Sequence, residues 1–91
     1  MDKEALKKEI KEHLVEYLNL VDMKPEEIGD DEPLFGEGLG LDSIDSIEMV
    51  VMIEREYGLK INNATQGRKV LVDVNHIADY IIENKDKKEE A

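Results

Sequence analysis

Apolar residues recur at helical spacing in three stretches of the chain. In the first stretch, DKEALKKEIKEHLVEYLNL, the residues that share one face are Leu6, Ile10, His13, Leu14, Tyr17 and Val21. Asp2 is placed to cap its start. A second helix is predicted from Ser43 to Tyr57, ended by Gly58. In the third stretch, VDVNHIADYIIEN, Asp73 is the predicted N-cap, and the packing residues are Val74, Ile77, Ala78, Tyr80 and Ile81.

Two polar segments separate these helices. The first, KPEEIGDDEPLFGEGLG, is rich in glycine, proline and acids, and loops this long are usually functional or held by their own apolar side chains. The side chains predicted to hold it are Ile28, Leu34, Phe35 and Leu39. The second segment, LKINNATQGRK, has room for a short helix near residues 65–71, and no stretch alternates long enough to predict a strand. The predicted fold is all-α: a small four-helix bundle of three main helices and one short helix, with a long first loop.

The second predicted helix carries more apolar surface than one core stripe requires. At about 100° per residue, its inward stripe contains Ser46, Met49, Val50, Ile53 and Tyr57. A second apolar group, beside the acids, contains Ile44, Ile47 and Val51. That group either forms a surface patch or lies under the long loop. Met52 falls among charged residues and is predicted to be exposed.

The length, composition and charge of the chain limit the range of functions that it can have. The chain has 91 residues, a net charge of −11 and 41% hydrophobic residues, which indicates one small folded domain. We expect a domain over residues 1–85 and a charged flexible tail over 86–91. The negative charge excludes nucleic acid, disfavours anionic membranes and favours partners with basic patches. Without cysteine, an apolar span or a signal-peptide core, the chain is predicted to be cytoplasmic, with no membrane partner.

The segment GLDSIDSIE contains Asp-Ser-Ile twice, so either Ser43 or Ser46 is a candidate for a chemical role. Asp42 is the expected N-cap, with Asp45 three residues on as its capping-box partner. Ser43 is then exposed at the first helical position, whereas Ser46 lies one turn deeper and bonds back to the preceding turn. A serine nucleophile needs an adjacent base, and the two histidines, His13 and His76, are both predicted to be half-buried and structural. No catalytic residue is therefore predicted, and Ser43 is the serine preferred for a chemical role, in which it can act as the substrate of another enzyme.

The segment LGLDSIDSIEMVVMIEREYGLKI resembles the signature of acyl carrier proteins, and the likeness extends over most of the chain. The resemblance implies a carrier rather than an enzyme, whose Ser43 receives 4'-phosphopantetheine from coenzyme A through a phosphopantetheinyl transferase. The terminal thiol of this arm would hold acyl groups as thioesters. The other expected partners are acyl-transferring and condensing enzymes with basic docking patches, and the carrier is expected to be a monomer.

The resemblance also implies roles for residues around Ser43. The docking residues it implies are Asp42, Ile44, Asp45, Ile47, Glu48, Val51 and Glu54. The residues it implies for the wall of the acyl pocket are Ser46, Met49, Val50, Ile53 and Ile61. Three basic residues, Arg55, Arg68 and Lys69, depart from the acidic pattern of fatty-acid carriers. The block EPLFGEGLGLDSIDSIE is more similar to carriers of specialised bacterial pathways, particularly of the aryl-polyene type, than to housekeeping fatty-acid carriers.

Other functions compete with this one. The motif also allows a carrier of an aminoacyl group such as D-alanine, because partner enzymes choose the cargo. An unmodified acidic helical adaptor is disfavoured by the intact Asp42-Ser43-Ile44 motif. A calcium sensor is disfavoured because GDDEPLFGEGLGLD has Pro33, Leu34 and Phe35 at positions where an EF-hand needs ligands.

Overall fold

The computed structural model describes residues 2–35, 40–61 and 64–90, and leaves out the side chains of Ala64 and of residues 85–90. Its helices are α1 (Lys3–Tyr17), a 3-10 helix (Pro25–Glu27), α2 (Ser43–Tyr57), α3 (Ala64–Val70) and α4 (Val74–Glu90). Within these ranges β structure is limited to one isolated bridge, between Phe35 and Leu41. The predicted all-α bundle, with three long helices, one short helix and a long first loop, is confirmed.

The helix ends follow from local sequence chemistry. The Asp2 carboxylate accepts a hydrogen bond from the Glu4 backbone N–H at 3.0 Å, and so caps α1. Asp73 does the same for α4, accepting from the His76 N–H at 2.8 Å. Gly58 ends α2 with φ 69°, a left-handed conformation that glycine adopts without steric cost. All three predicted helix boundaries are therefore confirmed.

One hydrophobic core joins the helices to the long loop. The predicted inward residues of α1 and α4 that are buried are Leu6, Ile10, Leu14, Val74, Ile77, Ala78 and Ile81. Tyr80 is half-buried. From the loop, Ile28 and Leu34 are fully buried and Phe35 is half-buried, as predicted. The remaining predicted loop anchor, Leu39, lies outside the described residues.

The burial of α2 differs from its predicted orientation. Met52, predicted to be exposed, is completely buried, together with Met49 and Ile53. Val50 and Ser46 are only half-buried. The buried face is therefore rotated away from Val50 and toward Met52. The physical reason is a cavity on the Val50 side, described below, because Val50 packs against the core and also lines this cavity.

Two further predictions about single residues were wrong. Val21 is 80% exposed, because α1 ends at Tyr17 and Asn19 turns the chain with φ 53° before the apolar face can continue. The His76 side chain is 53% exposed rather than half-buried, since it lies in the first turn of α4. There its Nδ1 lies 2.7 Å from the Asp73 carboxylate.

Two ion pairs and a backbone hydrogen bond attach the long loop to α1 and α4; the ion pairs of Asp30 with Lys7 and Lys11 are called the ion cluster below. The Asp30 carboxylate lies 2.9 Å from the Lys7 ammonium and 2.5 Å from that of Lys11, both on α1. The Asn75 N–H of α4 donates to the Asp30 backbone oxygen at 3.1 Å. Hydrogen bonds from Lys11 and then Lys7 hold the pKa of Asp30 below its ordinary value. The like-charged Lys7–Lys11 pair is thus compensated by a carboxylate from a distant part of the chain.

Two tyrosine hydroxyls join α1 to the C-terminal end of α2. The Tyr17 hydroxyl donates to Glu56 at 2.6 Å, and the Tyr57 hydroxyl donates to Glu9 at 2.8 Å. The His13 ring packs edge-on against both tyrosine rings, with centroids 6.3 and 5.8 Å away. His13 is therefore half-buried and structural, as predicted. Burial and the Glu9 bond raise the pKa of Tyr57, so its hydroxyl stays protonated and keeps donating.

The C-terminal boundary stays a prediction. The helix α4 continues to Glu90, and the side chains of the predicted tail, residues 86–91, lie outside the described part of the chain.

Candidate functional site

The N-terminus of α2 is organised by a reciprocal capping box. The Asp42 carboxylate accepts hydrogen bonds from the backbone N–H groups of Ile44 and Asp45, at 3.0 and 3.1 Å. The Asp45 carboxylate in turn accepts from the Asp42 N–H at 3.0 Å. The predicted cap and its partner are confirmed. Because both ends of the box are satisfied, the residue between them, Ser43, is held at a fixed position and orientation.

The two serines of the repeat lie in different surroundings. Ser43 is exposed, whereas Ser46 is half-buried. The Ser46 hydroxyl donates to the Ser43 carbonyl oxygen at 2.6 Å, the predicted bond to the preceding turn. Among the described residues, no group hydrogen-bonds the Ser43 hydroxyl. Ser43 is therefore the serine whose oxygen is available to an outside reagent.

A cavity of about 810 Å³ opens beside Ser43. The residues that line it are Pro33, Phe35, Leu41, Asp42, Ser43, Ser46, Val50, Ile61, Gly67, Arg68, Leu71 and Val72. Three of the expected pocket residues, Ser46, Val50 and Ile61, are thus brought together. The other two, Met49 and Ile53, are fully buried in the core and are not among the lining residues.

The remaining walls of the cavity were not anticipated from sequence. One wall comes from the long loop, through Pro33, Phe35 and Leu41, and the other from α3 and the turn after it. The available signal was Gly67, since a glycine inside a helix weakens it and often marks a close approach. Gly67 is buried, and a Cβ added there would lie 3.6 Å from the Ile61 side chain. This glycine therefore enlarges the cavity at the cost of helix stability.

An apolar pair surrounded by acids lies next to Ser43 on the outer face of α2. Ile44 is 69% exposed and Ile47 is 61% exposed, so the alternative that the loop covers them is wrong. Val51 is half-buried, as is Asp45, while Glu48 and Glu54 are exposed. Large exposed apolar side chains grouped in this way are typical of interaction surfaces.

Other classes of site have little support in the described ranges. No group of three or more histidine, aspartate or glutamate side chains there could hold a metal ion. None of the described helices is long and apolar enough to cross a membrane.

Comparisons with known proteins agree with this geometry. Residues 8–66 match the family described as "Phosphopantetheine attachment site". An acyl carrier protein of Wolinella succinogenes is 35% identical over 81 residues, covering 89% of this chain and 99% of the relative. An acyl carrier protein of Rickettsia bellii is 39% identical over 59 residues, covering 63% of this chain and 67% of the relative. The chain therefore belongs to the acyl carrier protein family, whose members carry a covalently bound 4'-phosphopantetheine.

Proposed function

We propose that Ser43 is the attachment residue for 4'-phosphopantetheine. The observation that carries this proposal is an exposed hydroxyl, free of described hydrogen bonds, at the capped start of α2 and at the edge of the cavity. Ser46 has the same neighbours in sequence, but its hydroxyl is engaged with the Ser43 carbonyl. The residues present therefore fit a large group that is attached at Ser43 and extends along the cavity.

The modification is a group transfer carried out by a separate phosphopantetheinyl transferase. A bond forms between the Ser43 oxygen and the phosphorus that carries pantetheine, while the bond from that phosphorus to the nucleotide part of coenzyme A breaks. The serine proton leaves to a base on the transferase, because the rings of His13 and His76 are engaged elsewhere. When bound, the arm supplies a terminal thiol that carries acyl groups as thioesters.

The cavity is the proposed shelter for the acyl chain. Its volume lies within the range of about 300–1,000 Å³ that is typical of small-ligand sites, and most of its lining side chains are apolar. Val50 and Ile61 would contact the chain, whereas Met49 and Ile53 support the wall from behind. We propose that the cargo is an apolar acyl intermediate of fatty-acid or polyketide-type synthesis, including the aryl-polyene type. An aminoacyl group as small as D-alanyl would leave most of this space unfilled.

The outer face of α2 is the proposed docking surface for the transferase and for acyl-transferring and condensing enzymes. Ile44, Ile47 and Val51 supply apolar contact, and the acids around them favour partners with basic patches. Electrostatic attraction of this kind mainly accelerates encounter, so docking can stay weak and reversible. The arm then makes each delivery effectively intramolecular.

Intact mass tests the attachment site. The chain is co-expressed with a broad-specificity phosphopantetheinyl transferase, and the wild type should gain one phosphopantetheinyl mass. Ser43→Ala should abolish the gain and the matched variant Ser46→Ala should keep it. A gain that is lost in Ser46→Ala instead, or no gain in the wild type, would refute the proposal; the second result would favour an unmodified adaptor.

Loading and kinetics test the cargo and the docking surface. Acyl and aminoacyl donors are compared on the modified protein, and preferential aminoacyl loading would contradict the proposed cargo. Glu48→Lys should slow modification and reduce its salt sensitivity. Glu12→Lys makes the same charge change on an exposed position of α1 and should have little effect. Equal modification rates for the two variants would contradict the proposal that the outer face of α2 is the docking surface.

A further inference from the structure

Besides Ser43, Arg68 is the polar side chain of the cavity lining that makes no described hydrogen bond or ion pair. Of the other polar lining groups, Asp42 caps α2 and Ser46 donates to a backbone carbonyl. Arg68 is exposed, and none of the described carboxylates lies within ion-pair distance of it. Its guanidinium is therefore available to a ligand in the cavity. It offers a planar set of donors suited to an oxyanion.

Backbone contacts connect Arg68 to the start of α2. Arg68 lies about one helical turn before Val72 along α3 and the turn that follows. The Val72 carbonyl accepts from the Leu34 N–H at 2.9 Å, and the Leu34 carbonyl accepts from the Leu41 N–H at 3.1 Å. Leu41 directly precedes the cap residue Asp42. Arg68, on α3, and Ser43, on α2, therefore line the same cavity, and backbone hydrogen bonds through the long loop connect the two elements.

The charge balance around Ser43 favours a role for this cation. A phosphodiester on Ser43 adds a negative charge between two carboxylates, Asp42 and Asp45, which would repel it. Arg68 is the cation among the lining residues of the cavity. Arginine binds phosphate oxygens in a bidentate manner, which lysine cannot reproduce.

We propose that the Arg68 guanidinium binds the phosphodiester on Ser43 and so holds the arm across the cavity mouth. Arg68 is thus a positioning residue for the arm. The inference rests on the proposed attachment at Ser43. It accounts for the presence of Arg68 in α3, where fatty-acid carriers are acidic. The docking surface on α2 does not explain this difference.

The test compares four proteins, each converted to the modified form and checked by intact mass. They are the wild type, Arg68→Gln, Arg68→Lys and the matched control Lys69→Gln, which removes the same charge from an exposed neighbour outside the cavity lining. Phosphorus NMR reports the phosphodiester directly, and nitrogen-labelled protein reports the Arg68 Nε–H resonance before and after modification. The reactivity of the arm's thiol with a neutral maleimide reports how far the arm is held against the protein.

The expected result is a shift of the Arg68 Nε–H resonance on modification, reversed by high salt. Arg68→Gln should move the phosphorus resonance more than Lys69→Gln does and raise maleimide reactivity by about two- to fivefold, as expected for an exposed ion pair. Arg68→Lys should fall between them. An Arg68 resonance unchanged by modification, or equal effects of Arg68→Gln and Lys69→Gln, would overturn the inference while the mass gain leaves the attachment site intact. No mass gain in the wild type would refute both.

Discussion

Two substitutions of Asp42 can separate the effect of its capping hydrogen bonds on stability from the effect of its charge on the modification of Ser43. Asp42→Ala removes the acceptor of two backbone hydrogen bonds, from Ile44 and Asp45. Loss of such an N-cap typically costs about 1 kcal/mol, within a range of about 0.5–2 kcal/mol. For a domain of this size, about 1 kcal/mol corresponds to a Tm lower by about 4–8 °C. Asp42→Asn keeps a side-chain oxygen that can accept the same bonds, so its Tm should stay within about 2 °C of the wild type.

The assay is thermal unfolding of the unmodified variants by circular dichroism, followed by the rate of phosphopantetheinyl transfer below all their Tm values. If the carboxylate also guides the transferase, Asp42→Asn should be as stable as the wild type but modified more slowly. An Asp42→Ala Tm equal to that of the wild type would show that the box does not stabilise α2. An Asp42→Asn Tm as low as that of the alanine variant would show that charge, and not capping, is responsible.

The remaining predictions concern the core, the cavity and the loop. Met52→Ala should lower the free energy of unfolding in urea by about 2–5 kcal/mol, and Met52→Leu by less than about 1.5 kcal/mol; a loss under about 0.5 kcal/mol for alanine would contradict the observed burial. Gly67→Ala should raise stability by about 0.5–1 kcal/mol, because the new methyl group meets Ile61 at an ordinary contact distance; a lower Tm would show a clash instead. Asp30→Asn should lower the Tm near neutral pH. Since the pKa of Asp30 is lowered in the folded state, this difference should persist above about pH 4 and decline as the pH falls through the folded-state pKa. A difference that does not decline under acidic conditions would refute the ion cluster.

Local chemistry made the starts of the three long helices and the end of α2 predictable. Asp2, Asp42 and Asp73 each have a short acceptor side chain directly before an apolar period, and Gly58 follows the last apolar residue of its helix. These signals act over three or four residues, so the sequence alone contains them. The exposed Ser43 follows directly from its place behind Asp42, and the back-bonded Ser46 follows from its place one turn later.

Features that depend on distant parts of the chain were not predictable in this way. A helical wheel gives the relative angles of Met52 and Val50, but not which side of α2 faces a cavity. Met52 is consequently buried where exposure was expected, and Val50 is half-buried where burial was expected. The ion pairs of Asp30 with Lys7 and Lys11 span about twenty residues of sequence and have no local signature. The cavity walls from the loop and α3 were missed for the same reason, apart from the hint given by Gly67.

The tyrosine bonds between α1 and α2 have a mechanical consequence for the attachment site. Both bonds, from Tyr17 to Glu56 and from Tyr57 to Glu9, lie toward the end of α2 that is farthest from Ser43. That end would be the pivot of any tilt of α2, and Ser43 lies roughly 20 Å from it along the helix axis. A tilt of about 5° around the pivot would displace Ser43 by about 2 Å and would hardly move Tyr57. Such a tilt would change the width of the cavity mouth while the end of α2 that is bonded to α1 stays in place.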